Sequence, residues 1–371
     1  MLFDKVRKRL GDDFLAKTQA GILSQTKFWL PTGAYNFDWA MGKGWPMGRI
    51  IEMFGEESKG KTTLGILAIR QAQLFGGMGY FINSEHTFEP KLATSLGADV
   101  SDRAIKEERF GYSDVKYISE AFNAVDAAMD GYLDEFKKKK KKIDDPPGPP
   151  FVIVLDSVAA LKADMYKGIM IGETRSPGAN AREISEALRD EFSSKLIGQN
   201  IVLIVINHIY EKMGVLHGPK TTSTGGRKLK FMSDIRLEVS SAGKINDDYG
   251  AEVGVRIEIE VVKSKVSIPR RVARMSSFYV GGIDDGLSVF EFLKDKGAIV
   301  YSKSEQRYIS LADGEMYARE EEFVGNFNTS QKFRDKVLNL VDVVLRESPR
   351  LRDNNGKPIK WSPAKKEKEN G

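Results

Sequence analysis

Apolar residues recur along the chain in two rhythms, and the switch between them carries the first structural information. Val6, Leu10, Phe14 and Leu15 stand at helical spacing. Gly21 and Phe28-Trp29-Leu30-Pro31 follow, which predicts a helix, a connector and a short extended stretch. From residue 49 to about residue 282, apolar runs at 50–54, 80–82, 151–155 and 201–206 alternate with longer helical stretches. That alternation predicts an α/β core, a mostly parallel sheet flanked by helices. Two later runs, 235–239 and 253–262, come without an intervening helix and predict an antiparallel extension. After Gly281-Gly282 the composition shifts to a smaller α+β unit with helices at 287–294 and 335–345, and 350–371 reads as disordered. The expected organisation is an N-terminal helix, which must dock somewhere, and linker (1–31), a core (32–282), a C-terminal domain (283–349) and a basic tail (350–371).

Composition narrows the classes. The 371 residues, 41% apolar, suffice for at least one large core. With no cysteine there is neither a disulfide framework nor a thiolate zinc site, and three histidines remain for metal work. No apolar run approaches the roughly 20 residues of a membrane span, and the first residues lack a secretion-signal core, so the cytoplasm is the expected compartment. The net charge of +5 is concentrated: residues 331–371 hold 11 Lys and Arg against 6 Asp and Glu, so 11 − 6 = +5 and the rest is neutral. A nucleic-acid surface in the core must therefore be local. The run from Lys137 to Lys142, followed by Asp144-Asp145-Pro146-Pro147-Gly148-Pro149-Pro150, reads either as a solvated loop or as a nucleic-acid contact.

Chemistry enters with Gly55-Glu56-Glu57-Ser58-Lys59-Gly60-Lys61-Thr62, a G-x-x-x-x-G-K-T loop between an apolar strand and a helical run at 64–75. Glycines let the backbone wrap phosphates, N–H groups point inward, and the helix start adds a favourable partial charge. Lys61 would reach the β and γ phosphates of ATP, and Thr62 would hold Mg²⁺. Asp156, ending the run Phe151-Val152-Ile153-Val154-Leu155, supplies a carboxylate for the Mg²⁺ shell, although an acid there also serves as a helix cap. Glu85, after the strand expected at 79–83, is either the base that orients water against the γ-phosphate or a helix-initiating acid. Asn207-His208 ends another strand, as a γ-phosphate contact or a loop cap.

Five segments in order then resemble the bacterial RecA recombinase family: 48–63, which includes Thr63; Ser84-Glu85-His86-Thr87-Phe88-Glu89-Pro90; Asp156-Ser157-Val158-Ala159-Ala160-Leu161; Thr224-Gly225-Gly226 through Lys230-Phe231; and Val261-Val262-Lys263-Ser264-Lys265. The resemblance covers about residues 32–282 and implies a RecA-type ATPase core. It makes Glu85 the catalytic glutamate and Asp156 the Mg²⁺-shell aspartate. His208 stands where the family has a γ-phosphate-sensing glutamine, and a histidine there makes pH-dependent switching an expectation. Glu89 matches an adenine-side acid, and Leu92 replaces the aromatic that stacks on adenine. Lys263 and Lys265, cations on one face of a strand by their i, i+2 spacing and by themselves readable as surface charges, resemble the pair that reaches the neighbouring subunit's ATP. A site shared head to tail generates a helical filament unless the rotation closes.

Two loops complete the reading. The first, at about 172–178, carries Arg175, and the helix expected from Ala181 carries Arg182 and Arg189 on one face. The second, 209–226, is rich in Gly, Ser and Thr and leads into Arg227, Lys228 and Lys230. Such composition suits a loop that orders on a phosphate backbone and equally a plain surface loop. The resemblance aligns both with the family's DNA-binding loops and places Arg182, Arg189, Met213, Gly225 and Gly226 on matching positions. Met213 would be a wedge between bases; His217 stands where an aromatic is usual.

The resemblance thus implies an ATP- and DNA-dependent recombinase that forms filaments on single-stranded DNA and pairs it with homologous duplex DNA, with single-strand-binding and mediator proteins as further partners. Two alternatives share the phosphate loop: a hexameric helicase of the same superfamily, and an ATP-gated DNA-binding mediator without productive hydrolysis. Lys263 and Lys265 argue against the first; the set Lys61, Thr62, Glu85 and Asp156 argues against the second. The short N-terminus, the Lys/Pro insert and the basic tail in place of the family's acidic one fit a phage-encoded or otherwise divergent member.

Overall fold

Strands that are apolar on both faces need cover on both faces, and the sheet at the centre of this protein has it. The computed structural model describes residues 26, 28–136, 148–168, 178–188, 190–211, 221–223, 226–310, 316–317 and 319–347. In chain order the elements begin with β1 (Trp29–Leu30), α1 (Tyr35–Met41), β2 (Trp45–Pro46), β3 (Arg49–Gly55), α2 (Lys61–Leu74) and β4 (Met78–Asn83). Next come α3 (Pro90–Ser95), α4 (Asp102–Lys106), β5 (Phe110–Asp114), α5 (Ile118–Phe136), β6 (Phe151–Asp156), α6 (Ala179–Ala187) and α7 (Asp190–Leu196). Then β7 (Ile201–Glu211), β8 (Thr221–Ser223), α8 (Gly226–Met232), β9 (Ile235–Asn246), β10 (Glu252–Ser264), β11 (Val272–Phe278) and β12 (Gly282–Ile283) complete the main sheet. The C-terminal part holds α9 (Asp285–Asp295), β13 (Ile299–Ser302), β14 (Arg307–Ser310), β15 (Met316–Tyr317), α10 (Glu320–Thr329) and α11 (Gln331–Glu347).

The main sheet runs β12-β11-β10-β9-β3-β7-β6-β4-β5, with β8 paired to β7. Pairings from β5 through β4, β6, β7 and β3 to β9 are parallel, and those from β9 to β12 are antiparallel. The expected antiparallel extension is present, β10 pairing antiparallel with β9, while β9 itself enters the sheet parallel to β3 after the short crossover α8.

Alternation along β3 sends Ile51 and Met53 into a core beneath α2, and Ile50 into a second core beneath α5, α6 and α7. In α5 the buried residues Ile118, Ala121, Phe122, Val125, Met129 and Tyr132 fall on one stripe, which seats the helix on the sheet. At the start of β4, α2 presses so near that a Cβ on Gly79 would lie 2.3 Å from Ile69 Cγ2. A third core, formed by Val289, Phe290, Leu293, Tyr317, Phe323 and Phe327 among others, belongs to the C-terminal elements. Asp285 at the start of α9 ties it to the rest, accepting the Tyr35 N–H at 2.9 Å and pairing with Arg334 of α11 at 2.8 Å.

At the amino ends of the strands, Phe136 and Gly148 flank the Lys/Pro insert and touch: a Cβ on Gly148 would sit 2.6 Å from Phe136 Cγ. Tyr132 Oη donates to Pro149 O at 2.9 Å and Asn200 Nδ2 to Gly148 O at 3.0 Å, fixing the junction. Residues 1–25, 137–147 and 348–371, and with them the expected N-terminal helix, the lysine run and the tail, lie outside the described residues.

Candidate active site

The carboxyl ends of β3, β4, β6 and β7 converge on one edge, where open α/β sheets build ligand sites. Gly55 is level with His208, and Asn83 with Asp156. The loop after β3 turns into α2 through Gly60, whose φ of 91° lies in the left-handed region a side chain would oppose. Lys61 is 4% exposed, and its Nζ donates to Gly55 O at 3.1 Å and to Glu56 O. These carbonyl contacts fold the loop around the ammonium. Burial holds that ammonium below its usual range. Lys59 pairs with Glu56 at 3.5 Å on the outside of the loop, Ser58 adopts a positive φ of 57°, and Thr63 is half-buried behind Thr62. Glu57 is exposed.

Thr62 Oγ1 donates to Asp156 Oδ2 at 2.6 Å, so the hydroxyl and carboxylate expected to hold Mg²⁺ already face each other. Burial pushes the Asp156 carboxyl up to about 6, against the Thr62 hydrogen bond. Hydroxyl beside carboxylate, next to a buried lysine and an N-terminal turn without a side-chain cap, fits a Mg²⁺-nucleotide.

Glu85 is held from two strands. Ser157 Oγ donates to its Oε1 at 2.5 Å, and His208 Nε2 lies 2.8 Å from the same oxygen. The His208 hydrogen bond is the largest influence holding the Glu85 carboxyl below its ordinary range, with Ser157 assisting against burial. His208 is 8% exposed, and its Nδ1 is buried without a hydrogen-bond partner among the described residues. Ser84 and Ser157 lace β4 to β6: Ser84 N donates to Asp156 O at 2.8 Å, Ser84 Oγ to Ser157 O at 2.6 Å, and Ser157 N to Ser84 Oγ at 2.8 Å. The role of Ser157 is absent from the sequence reading, since a serine after a strand-end acid carries no signal by itself. Behind His208, Asn207 Nδ2 donates to Glu52 Oε1 at 2.9 Å, and Glu52 Oε2 accepts from Arg236 at 2.5 Å.

Other expected site residues lie apart from this group. Glu89 caps α3, accepting Lys91 N–H at 3.1 Å, and Leu92 packs on the core beneath α2. Lys263 Nζ donates to Lys230 O, Phe231 O and Ser233 O at 2.6, 2.9 and 2.7 Å, capping the carboxyl end of α8. Lys265 pairs with Asp234 at 3.3 Å. Both cations hold their own chain, on the antiparallel side of the sheet.

Arg182 stands on a helix as expected, whereas Arg189 lies outside the described residues. Helix α6 ends at Ala187 and α7 begins at Asp190, because Leu188 leaves the helical conformation with ψ 72° and is fully buried. Arg182 projects from α6, paired with Glu186 at 3.1 Å. Arg175, Arg189, Met213 and Gly225 lie outside the described residues, while the backbones of Gly226 and Arg227 open α8. The base of the second loop is a hairpin: Ile209, Tyr210 and Glu211 of β7 pair with Ser223, Thr222 and Thr221 of β8. The strand that ends the nucleotide edge at His208 thus runs directly into that loop.

A parallel sheet carrying this loop, helix and strand-end acid at its carboxyl edge defines a phosphate-loop nucleotide-binding α/β protein. The RecA N-terminal domain model matches residues 3–126 and 148–284, and the interruption includes the lysine run 137–142. Protein RecA of Aquifex pyrophilus is 37% identical over 281 residues, 75% of this chain and 73% of its own. Those of Staphylococcus aureus (strain JH9) and Chlamydia trachomatis serovar L2 are 37% and 35% identical, covering 74% and 73% of this chain and 74% and 70% of theirs. The chain belongs to the RecA family. Among the described residues no helix is long and apolar enough to cross a membrane.

Proposed function

We propose that this protein is a cytoplasmic, DNA-dependent ATPase that assembles head to tail on single-stranded DNA and carries out homologous pairing and strand exchange. The observation that carries the reading is the Glu85–His208 contact, 2.8 Å, because β7 continues from His208 into the hairpin base of the second loop. In this reading Lys61 binds the β and γ phosphates and Glu85 orients the attacking water. Its ionised carboxylate is poised for that proton by two donors on one oxygen. Thr62 and Asp156 would hold Mg²⁺, which when bound screens phosphate charge. His208 exchanges its hold on Glu85 for the γ-phosphate, and β7 carries that exchange to the loop that grips DNA. Glu89 lies on the adenine side; Arg175, Arg182, Arg189, Met213, Gly225, Gly226 and Arg227 form the DNA surface. Lys263 and Lys265 leave the carbonyls and carboxylate of their own chain to complete a neighbour's site, the segment 1–31 docks on that neighbour, and 283–349 stands as a separate domain.

The test is ATP turnover with and without single-stranded DNA, paired with electron microscopy on single-stranded DNA and a non-hydrolysable ATP analogue. Strong stimulation and open helical filaments are expected. Turnover indifferent to DNA at saturating protein, or closed rings, would defeat the proposal.

A further inference from the structure

Strand β3 carries one carboxylate that none of the roles above uses. Glu52 is fully buried, with β7 on one side and β9 on the other. It accepts from a different strand with each oxygen: Asn207 of β7 at 2.9 Å on Oε1, and Arg236 of β9 at 2.5 Å on Oε2. Both partners lead onward. Asn207 accepts the His208 backbone N–H on its own Oδ1 at 2.9 Å, so its amide is a strap whose two ends hold Glu52 and the His208 peptide. Arg236 lays its guanidinium over Phe54, 4.3 Å from the ring centre, and sits directly across the ladder from Lys263.

The register between β9 and β10 is irregular between Val261 and Lys263, at this crossing. A bulge bends its strand and re-aims the side chains beside it, so this crossing sets where Lys263 points. A turn of the Asn207–His208 peptide that draws the Asn207 amide off Glu52 leaves Glu52 facing Arg236 alone, and Arg236 is positioned to pass the change to the strand of Lys263. A buried ion pair is a weak device for stability, since apolar replacements of similar shape are often neutral, which directs attention to its placement.

We propose that Glu52 is a positioning residue that couples the His208 end of β7 to the lysine strand β10, so that both halves of an ATP site shared between protomers respond together. This rests on the functional reading above.

The experiment compares the full chain with Glu52→Gln, Arg236→Gln and the Glu52→Gln/Arg236→Gln pair. Thermal midpoint, affinity for a fluorescent ATP analogue, stimulation of turnover by single-stranded DNA, and the Hill coefficient for ATP are measured. Glu52→Gln alone leaves a buried cation unneutralised and lowers the midpoint; the pair removes that charge and recovers it. The expected result for the pair is unchanged ATP affinity, with DNA stimulation reduced at least roughly tenfold and the Hill coefficient reduced toward about 1. A pair that recovers midpoint, stimulation and cooperativity together makes Glu52 purely structural and overturns the inference. Where Glu52→Gln does not fold, the pair decides alone. An unaltered chain without DNA-stimulated turnover overturns the functional reading and takes this inference with it; a stimulated unaltered chain beside an equally stimulated pair overturns this inference only.

Discussion

Replacing Glu85 with glutamine separates chemistry from architecture unusually cleanly, because its donors Ser157 and His208 use the same oxygen. Ser157 Oγ and His208 Nε2 meet Oε1 at 2.5 and 2.8 Å, while Oε2 accepts from no described residue. A glutamine can set its carbonyl oxygen in the place of Oε1, keep both hydrogen bonds, and point its amide where the free oxygen was. The bonds lose charge assistance, worth about 1 kcal/mol between them, so the midpoint should move by only a few degrees. Basicity is what disappears: Glu85 is ionised at neutral pH, held there chiefly by the His208 hydrogen bond, whereas an amide cannot take the proton of an attacking water. Removing a general base costs roughly 10²–10⁴-fold in turnover. The assay is steady-state hydrolysis at saturating ATP and single-stranded DNA, beside direct titration of a fluorescent ATP analogue. Nucleotide affinity should hold within about threefold while kcat collapses by that factor. Turnover within tenfold of the unaltered chain would show that Glu85 is not the base, and loss of affinity in step with kcat would make it a scaffold residue.

Burial pushes Asp38 up to about 7 from an ordinary 3.8, so the folded state binds its proton more tightly than the unfolded state does. Stability from this group therefore falls as pH rises from about 4 to about 7 and is flat beyond, by a few kcal/mol at most. Asp38→Asn should open a gain in thermal midpoint that widens over that range; midpoint curves that stay parallel across pH would contradict it. Gly79→Ala places a methyl 2.3 Å from Ile69 Cγ2 and should cost about 1–3 kcal/mol in denaturant unfolding, with an unchanged midpoint counting against the packing described here. Lys263→Ala removes three carbonyl contacts at the end of α8 and should cost about 1–2 kcal/mol even without DNA or nucleotide. A variant as stable as the unaltered protein would refute the cap.

Features that depend on neighbours in sequence were the legible ones. The phosphate loop is a contiguous pattern between a strand and a helix; the runs at 151–155 and 201–206 are apolar throughout, and the run at 50–54 is apolar but for Glu52, because both sheet faces are covered. The break after α6 was hidden because Leu188 suits a helix as well as it suits the core that draws it out of one. The parallel partner of β9 was hidden because seven residues of α8 are enough for a crossover yet too few for a clear helical period. The network around Glu52 was the least accessible: Glu52 and Asn207 lie 155 residues apart, and nothing local to either announces the other. Ser157 and Glu85, 72 residues apart, hide their pairing in the same way.

The contact between Phe136 and Gly148 has a practical consequence. A chain that departs and re-enters at one fixed point closes a loop of any length at an entropic cost that grows only slowly. That point stands at the amino ends of the strands, whereas the nucleotide edge stands at the carboxyl ends. Fluorophores, affinity handles or whole reporter domains grafted between Phe136 and Gly148 would therefore sit at the opposite end of the strands from the phosphate loop, a port through which this protein could be watched while its carboxyl edge stays clear.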